Sequence, residues 1–219
     1  MVHFVIMSTI VIEQVSKQFK QHTVLADVNL HIQPNEHIAL IGSNGAGKTT
    51  LMRCLLGEYK YDGLITINGL NPRQNRQTIL KRIGFVPQLP PPLKMPVGQL
   101  IKFSAGVCDT DPKNIVNITK QLGLDIQTFT HRPFNKLSGG QKQKLLISIA
   151  LGRNSDILIM DEPAANLDPE AREIFLKLLK KKHAITIISS HRLNEITTLV
   201  NRVVELDMGK VILDDKLMN

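Results

Sequence analysis

A chain of 219 residues, 42% hydrophobic and 21% charged, carries enough apolar side chains for one large folded unit and too many for wholesale disorder. Its formal net charge of +8 admits a polyanionic partner: nucleotide, nucleic acid or an anionic membrane surface. Only 4% of residues are aromatic and none is Trp, which argues against a stacking surface for single-stranded nucleic acid. No run approaches the roughly 18 apolar residues of a membrane span. The segment Met1 to Met7 has none of the regions of a secretory leader, and Met7 is an alternative start to Met1. Cys54 and Cys108 form no ligand-like cluster, the usage expected of a reduced, cytoplasmic protein.

Taken in chain order, Val28, Leu30 and Ile32 alternate with Asn29, His31 and Gln33, the period of a half-buried strand. His37 to Ile41 is a continuous apolar run after its first residue, suited to a strand buried on both faces of a parallel sheet. Thr49 to Leu56 is helix-compatible, with Gly57 placed to end it. The alternation returns at Leu64 to Gly69, so the first third predicts an antiparallel β-subdomain. Pro90, Pro91, Pro92 and Pro96 then break the chain, and amphipathic segments follow at 97–107 and 112–122. This predicts a helical insertion. Ser138 and Gln141 stand at the spacing of a capping box, opening a helix through Leu145, Leu146, Ile149 and Ala150. Ile157 to Met160 and Ala184 to Ile188 are two further buried strands. Between them, Asp168-Pro169 reads as N-cap and first helical residue. That helix aligns Ala171, Ile174, Phe175, Leu178 and Leu179 on one face and ends in Lys180, Lys181 and Lys182, a solvated helix end.

The chemistry is concentrated at three places. Gly42-Ser43-Asn44-Gly45-Ala46-Gly47-Lys48-Thr49, followed by Thr50, fits G-x-x-x-x-G-K-[ST] between a buried strand and a helix. Glycines let backbone N–H groups wrap a phosphate and the helix adds its positive end. Lys48 then reaches the β- and γ-phosphates and Thr49 is a Mg²⁺ ligand. Asp161 and Glu162 end a buried strand, where open α/β sheets place their sites. Asp161 is placed to hold the Mg²⁺ shell and Glu162 to polarise an attacking water. Ser138-Gly139-Gly140-Gln141 opens a second helix with unobstructed N–H groups. Two phosphate-binding helix ends on one chain make a nucleotide shared between two subunits plausible.

With these motifs in order, the sequence resembles the ATP-binding subunits of ABC transporters over essentially its whole length. The resemblance rests on Gly42 to Thr49, Gln88, Leu137 to Gln141, Asp161-Glu162, Ala165-Asn166-Leu167-Asp168 and Ser189-Ser190-His191. It implies an α/β fold: a P-loop NTPase (RecA-like) core with an antiparallel β-subdomain and an inserted helical subdomain. Residues 1–219 would form a single nucleotide-binding domain, with 1–88 and 153–219 as core and 89–152 as the helical part carrying the signature. It further implies that Phe19 stacks on adenine and that Gln88 senses the γ-phosphate and Mg²⁺. His191 would contact the γ-phosphate, and Asp168 would lie in the loop crossing the dimer interface. ATP and Mg²⁺ are the implied ligands. The implied partners are a second such chain, head to tail, and a separate transmembrane permease that holds the protein peripherally at the inner face of the membrane, with no nucleic acid expected. The texture is closest to exporter-type or copper- and nitrous-oxide-reductase-associated subunits. Ala164-Ala165-Asn166 departs from the family's usual small-residue run without removing a catalytic group. The alternative, a soluble ATPase acting on nucleic acid or ribosomes, sits poorly with a short chain free of heptads.

Overall fold

The computed structural model describes residues 8–190 and 196–217. The chain runs β1 (Ile10–Phe19), β2 (His22–Ile32), β3 (His37–Ile41), α1 (Lys48–Leu55), β4 (Asp62–Ile67), α2 (Arg76–Lys81) and β5 (Ile83–Val86). It continues through α3 (Val97–Val107), α4 (Pro112–Gln121), α5 (Gly139–Gly152), β6 (Ile157–Asp161), α6 (Pro169–Lys180), β7 (Ile185–Ser189), β8 (Arg202–Asp207) and β9 (Lys210–Lys216). One sheet has the order β5-β6-β7-β3-β8-β9, parallel except for β9. The other is antiparallel, in the order β2-β1-β4. The α/β class with a separate antiparallel sheet is as the sequence leads one to expect.

The three apolar runs β3, β6 and β7 lie side by side in the interior of the large sheet, so each strand buries both faces. In β6, Leu158 and Met160 pack with α3, α5 and α6, while Ile157 and Ile159 pack with α1 and the small sheet. Alternate residues thus feed two cores, which is why the run does not alternate in polarity. Asp168 caps α6 through Ala171 N–H, and the foreseen face buries Ala171, Phe175 and Leu179. The lysine run is only partly solvated: Lys182 is half-buried, and burial depresses its pKa. Helix α1 begins at Lys48, one residue earlier than its composition suggests.

An ion-pair cluster joins the two sheets. Arg202 on β8 is 7% exposed at its side chain. It donates to Glu36 (2.7 Å), to both oxygens of Asp214 on β9 (2.6 and 2.7 Å) and to the His31 carbonyl on β2 (2.7 Å). Burial works to raise the Glu36 pKa, but the Gln33 N–H, Arg202 and Lys216 outweigh it and bring the group below its ordinary 4.5. A depressed carboxylate stabilises the fold above its unfolded pKa, and the contribution is lost as pH falls through the folded value. Arg202→Met leaves the buried Glu36 with only the Gln33 N–H and Lys216, and should cost about 3 kcal/mol in urea unfolding at pH 7. It should also flatten the loss of stability as pH falls through the carboxylate range, because Glu36 has lost one of the groups that hold its pKa down while the Gln33 N–H remains. A native-like unfolding midpoint in the variant would show that the cluster contributes nothing.

Candidate functional site

The strand β3 delivers the phosphate loop to the carboxyl edge of the large sheet. Gly42 has φ 139°, and a Cβ there would lie 2.1 Å from the Leu206 carbonyl oxygen of the adjacent β8. Gly47, at φ 109°, would meet the Val24 carbonyl at 2.8 Å. Both positions therefore exclude a side chain on steric and conformational grounds. The loop encloses the Lys48 ammonium, which donates to the carbonyls of Gly42 (2.6 Å) and Ser43 (2.9 Å). An ammonium has three N–H donors, so one remains for a ligand while the loop itself fixes the charge in place.

Opposite the loop, Asp161 ends β6. The Thr49 hydroxyl donates to Asp161 Oδ2 at 2.6 Å, and the Ser189 hydroxyl, from the intervening strand β7, donates to Asp161 Oδ1 at 2.5 Å. Ser189 Oγ in turn accepts from the Glu162 N–H at 2.9 Å. Glu162 is held at φ 50°, a left-handed conformation that a non-glycine residue adopts at a cost. Residues 44–50, Val24, Gln88, Asp161 and Glu162 line one open cleft of about 190 Å³. The structure thus brings together the phosphate loop, Gln88 and the two carboxylates from three separate parts of the chain.

The signature residues lie elsewhere. Ser138 closes a capping box: its hydroxyl accepts from Gln141 N–H (3.2 Å) and its own N–H donates to Gln141 Oε1 (2.9 Å). Ser138 and Gly139 are exposed, and none of 138–141 lines the cleft. Gly140 packs beside the loop after Glu162, where a Cβ would stand 3.2 Å from the Asn166 carbonyl. Asp168 pairs with Lys144 at 2.7 Å. Lys144, and then the Ala171 N–H, hold its carboxyl below the ordinary 3.8. Phe19 also stands apart from the cleft. It is exposed at the end of β1, edge-on to Tyr59 with ring centroids 5.1 Å apart, and the Lys17 ammonium lies 4.5 Å from its centroid. His191 lies outside the described residues.

Three contributors escape sequence reasoning. Val24 enters the cleft by the close approach of β2 to Gly47, which only three-dimensional pairing reveals. Ser189 reads as part of a Ser-Ser-His run but works by tying Asp161 to Glu162. Lys144 pairs with Asp168 across 24 positions, a contact that no local spacing announces.

A hydroxyl and a carboxylate held 2.6 Å apart at a phosphate loop are hard oxygen donors, the set that suits Mg²⁺ alongside phosphate oxygens and water. Among the described residues no group of three His, Cys, Asp or Glu forms a dedicated cage, and a phosphate-bound Mg²⁺ needs none.

A phosphate loop facing an Asp-Glu strand end across a parallel sheet defines a P-loop nucleoside triphosphatase. The sequence model of the ABC transporter family matches residues 25–165. The energy-coupling factor transporter ATP-binding protein EcfA2 of Clostridium perfringens is 31% identical over 207 residues, covering 88% of this chain and 73% of that one. A solved ATP-binding subunit of an ABC transporter superposes with a TM-score of 0.86 at 25% identity, covering 95% of this chain and 90% of that one. A dimeric bacterial ABC transporter cassette gives 0.82 at 26% identity, covering 96% and 99%. The chain belongs to the ABC transporter family. It is an ATP-binding, ATP-hydrolysing subunit of that family. Among the described residues no helix is long and apolar enough to cross a membrane.

Proposed function

We propose that each ATP is held between two chains, on the phosphate loop of one and the signature helix of the other. The observation that carries this reading is the separation of the two phosphate-binding helix ends: residues 44–50 line the cleft and 138–141 do not. In the cleft, Lys48 takes the β- and γ-phosphates with its remaining N–H. Residues 44–50 offer backbone N–H groups, and the exposed Ser138 and Gly139 of the partner chain, with Gly140 behind them, would close over the γ-phosphate. Thr49 and Asp161, with Gln88, would hold Mg²⁺, which neutralises phosphate charge when bound. Glu162 orients and deprotonates the attacking water, and His191 contacts the γ-phosphate. Phe19 receives the adenine. Catalysis on this reading is positioning plus fixed charge.

The chain would sit at the cytoplasmic face of the membrane through its permease, and residues 89–96 are the contact. Leu89 is 81% exposed and Phe103 61%, with Leu93 and Met95 also exposed. The segment is braced: Asn135 N–H donates to the Leu93 carbonyl (2.9 Å) and Phe134 N–H to the Met95 carbonyl (3.0 Å). A push on 89–96 therefore reaches Gln88 on one side and the approach to Ser138 on the other. Pro90, Pro91 and Pro92 keep the exposed part stiff. Leu93→Asp, or Gly at all three prolines, should leave ATP hydrolysis by the isolated subunit near normal. Either change should weaken co-purification with the permease about tenfold or more. Unchanged assembly and transport, with the isolated ATPase intact, would remove this surface from consideration.

A further inference from the structure

The loop that follows Glu162 is tied to the signature helix at two points. Gln143, fully buried in the second turn of α5, donates through Nε2 to the Pro163 carbonyl at 2.8 Å. Lys144, the next residue, pairs with Asp168 at 2.7 Å, with only 16% of its side chain exposed. Between these ties Gly140 abuts the Asn166 carbonyl, closely enough that a Cβ would stand 3.2 Å from it. The loop is closed on itself by Ala165 N–H to the Glu162 carbonyl and Leu167 N–H to the Ala164 carbonyl, both at 3.2 Å. Glu162, from which the loop departs, is anchored through its own N–H to Ser189.

Gln143 is an expensive choice for a buried position. Its Oε1 is buried and has no partner among the described residues, so the amide is only half satisfied. A leucine fills similar space with no orphaned acceptor. What the amide adds is one bond, to the peptide carbonyl directly after Glu162. Lys144 adds a charge-assisted bond at the far end of the same loop. Loop and helix end therefore move as one body: α5 cannot shift without carrying Pro163, and Pro163 cannot shift without Glu162.

We propose that Gln143 and Lys144 are positioning residues that couple the two nucleotide sites of the dimer. Through Pro163 and Asp168 they pass the seating of α5 on the partner's nucleotide to Glu162 at the chain's own. A chain whose signature helix has not engaged would then hold Glu162 off its water, and hydrolysis would wait for both interfaces. This inference rests on the shared-site reading above.

The test uses the full chain. Gln143→Leu should lower kcat about tenfold or more, since small misplacement of a catalytic group is costly. Lys144→Met should lower it by a smaller factor, and Lys144→Arg should restore it. MgATP affinity of the monomer should stay within about twofold of wild type, and each substitution placed in a Glu162→Gln chain should still yield the MgATP dimer on size exclusion. That split separates positioning from damage. Wild-type kcat in Gln143→Leu and Lys144→Met overturns the proposal. So does a kcat loss matched by loss of monomer ATP binding, which marks general damage. So does loss of the trapped dimer, which makes the ties braces for the interface alone. Ser138→Arg distinguishes the two levels: if it hydrolyses normally the shared site itself fails, whereas if it is inactive while the tie variants are normal, only the coupling fails.

Discussion

Glu162→Gln should bind MgATP with near wild-type affinity and lose steady-state hydrolysis by about 10²–10⁴-fold, the range for removal of a general base. The substitution keeps the side chain's shape and takes away its ability to accept a proton. Its surroundings are set by the backbone: the Glu162 N–H is fixed on Ser189, and the residue is held at φ 50° whether its side chain is acid or amide. Thr49, Asp161 and Lys48 keep the contacts they make with one another and with the loop. Binding and hydrolysis should therefore separate cleanly. With the γ-phosphate never cleaved, the nucleotide should stay between two chains and the dimer should accumulate. Size-exclusion chromatography in MgATP and phosphate release together read both effects. A variant that remains monomeric, or that turns over at the wild-type rate, removes Glu162 from the role of base.

The parts of this site most legible in the sequence are those whose chemistry is local. Gly42 and Gly47 are required by close approaches to β8 and β2, yet their spacing around Lys48 already marks a phosphate loop. Ser138 and Gln141 satisfy one another over three residues, so their capping box can be read from a string. Strands β3, β6 and β7 are visible because burial on both faces leaves their interiors almost wholly apolar, with polar residues mainly at their ends. Strand β1 is not, because bulges between Ile12 and Gln18 interrupt its alternation and Gln14 turns to φ 51°. Strand β9 is an exposed edge whose three apolar residues, Val211 to Leu213, are followed at once by Asp214 and Asp215, and α2 spans six residues, too short for a period to show. What the string hides at the site is of the same kind. The contacts Ser189 to Asp161, Gln143 to Pro163 and Lys144 to Asp168 join residues 20 to 28 positions apart on different elements. Each becomes a pair only after β6, β7 and α5 have packed.

Lys48→Ala and Ser138→Arg should each abolish hydrolysis when every chain carries the change, and mixing the two should restore part of it. Lys48→Ala removes the charge that the loop carbonyls of Gly42 and Ser43 hold in the cleft, and loss of such a group costs about 10²–10³-fold or more. Ser138→Arg acts differently. It breaks the capping box and places a long side chain on the exposed helix end, but leaves its own chain's cleft untouched. A Ser138→Arg chain should thus still bind MgATP as a monomer, whereas a Lys48→Ala chain should not. In a mixed dimer, the Ser138→Arg chain supplies a working phosphate loop and the Lys48→Ala chain a working signature helix, so one of the two sites is whole and the other carries both lesions. Recovered activity should track the share of heterodimers as the mixing ratio is varied, and vanish at either extreme. If the two sites fire only together, turnover stays low even in this arrangement. A photoreactive ATP analogue then decides the matter, because the intact site still holds it between chains and it should label both. Heterodimers that form, stay inactive and label only the Ser138→Arg chain would mean that the nucleotide is not shared.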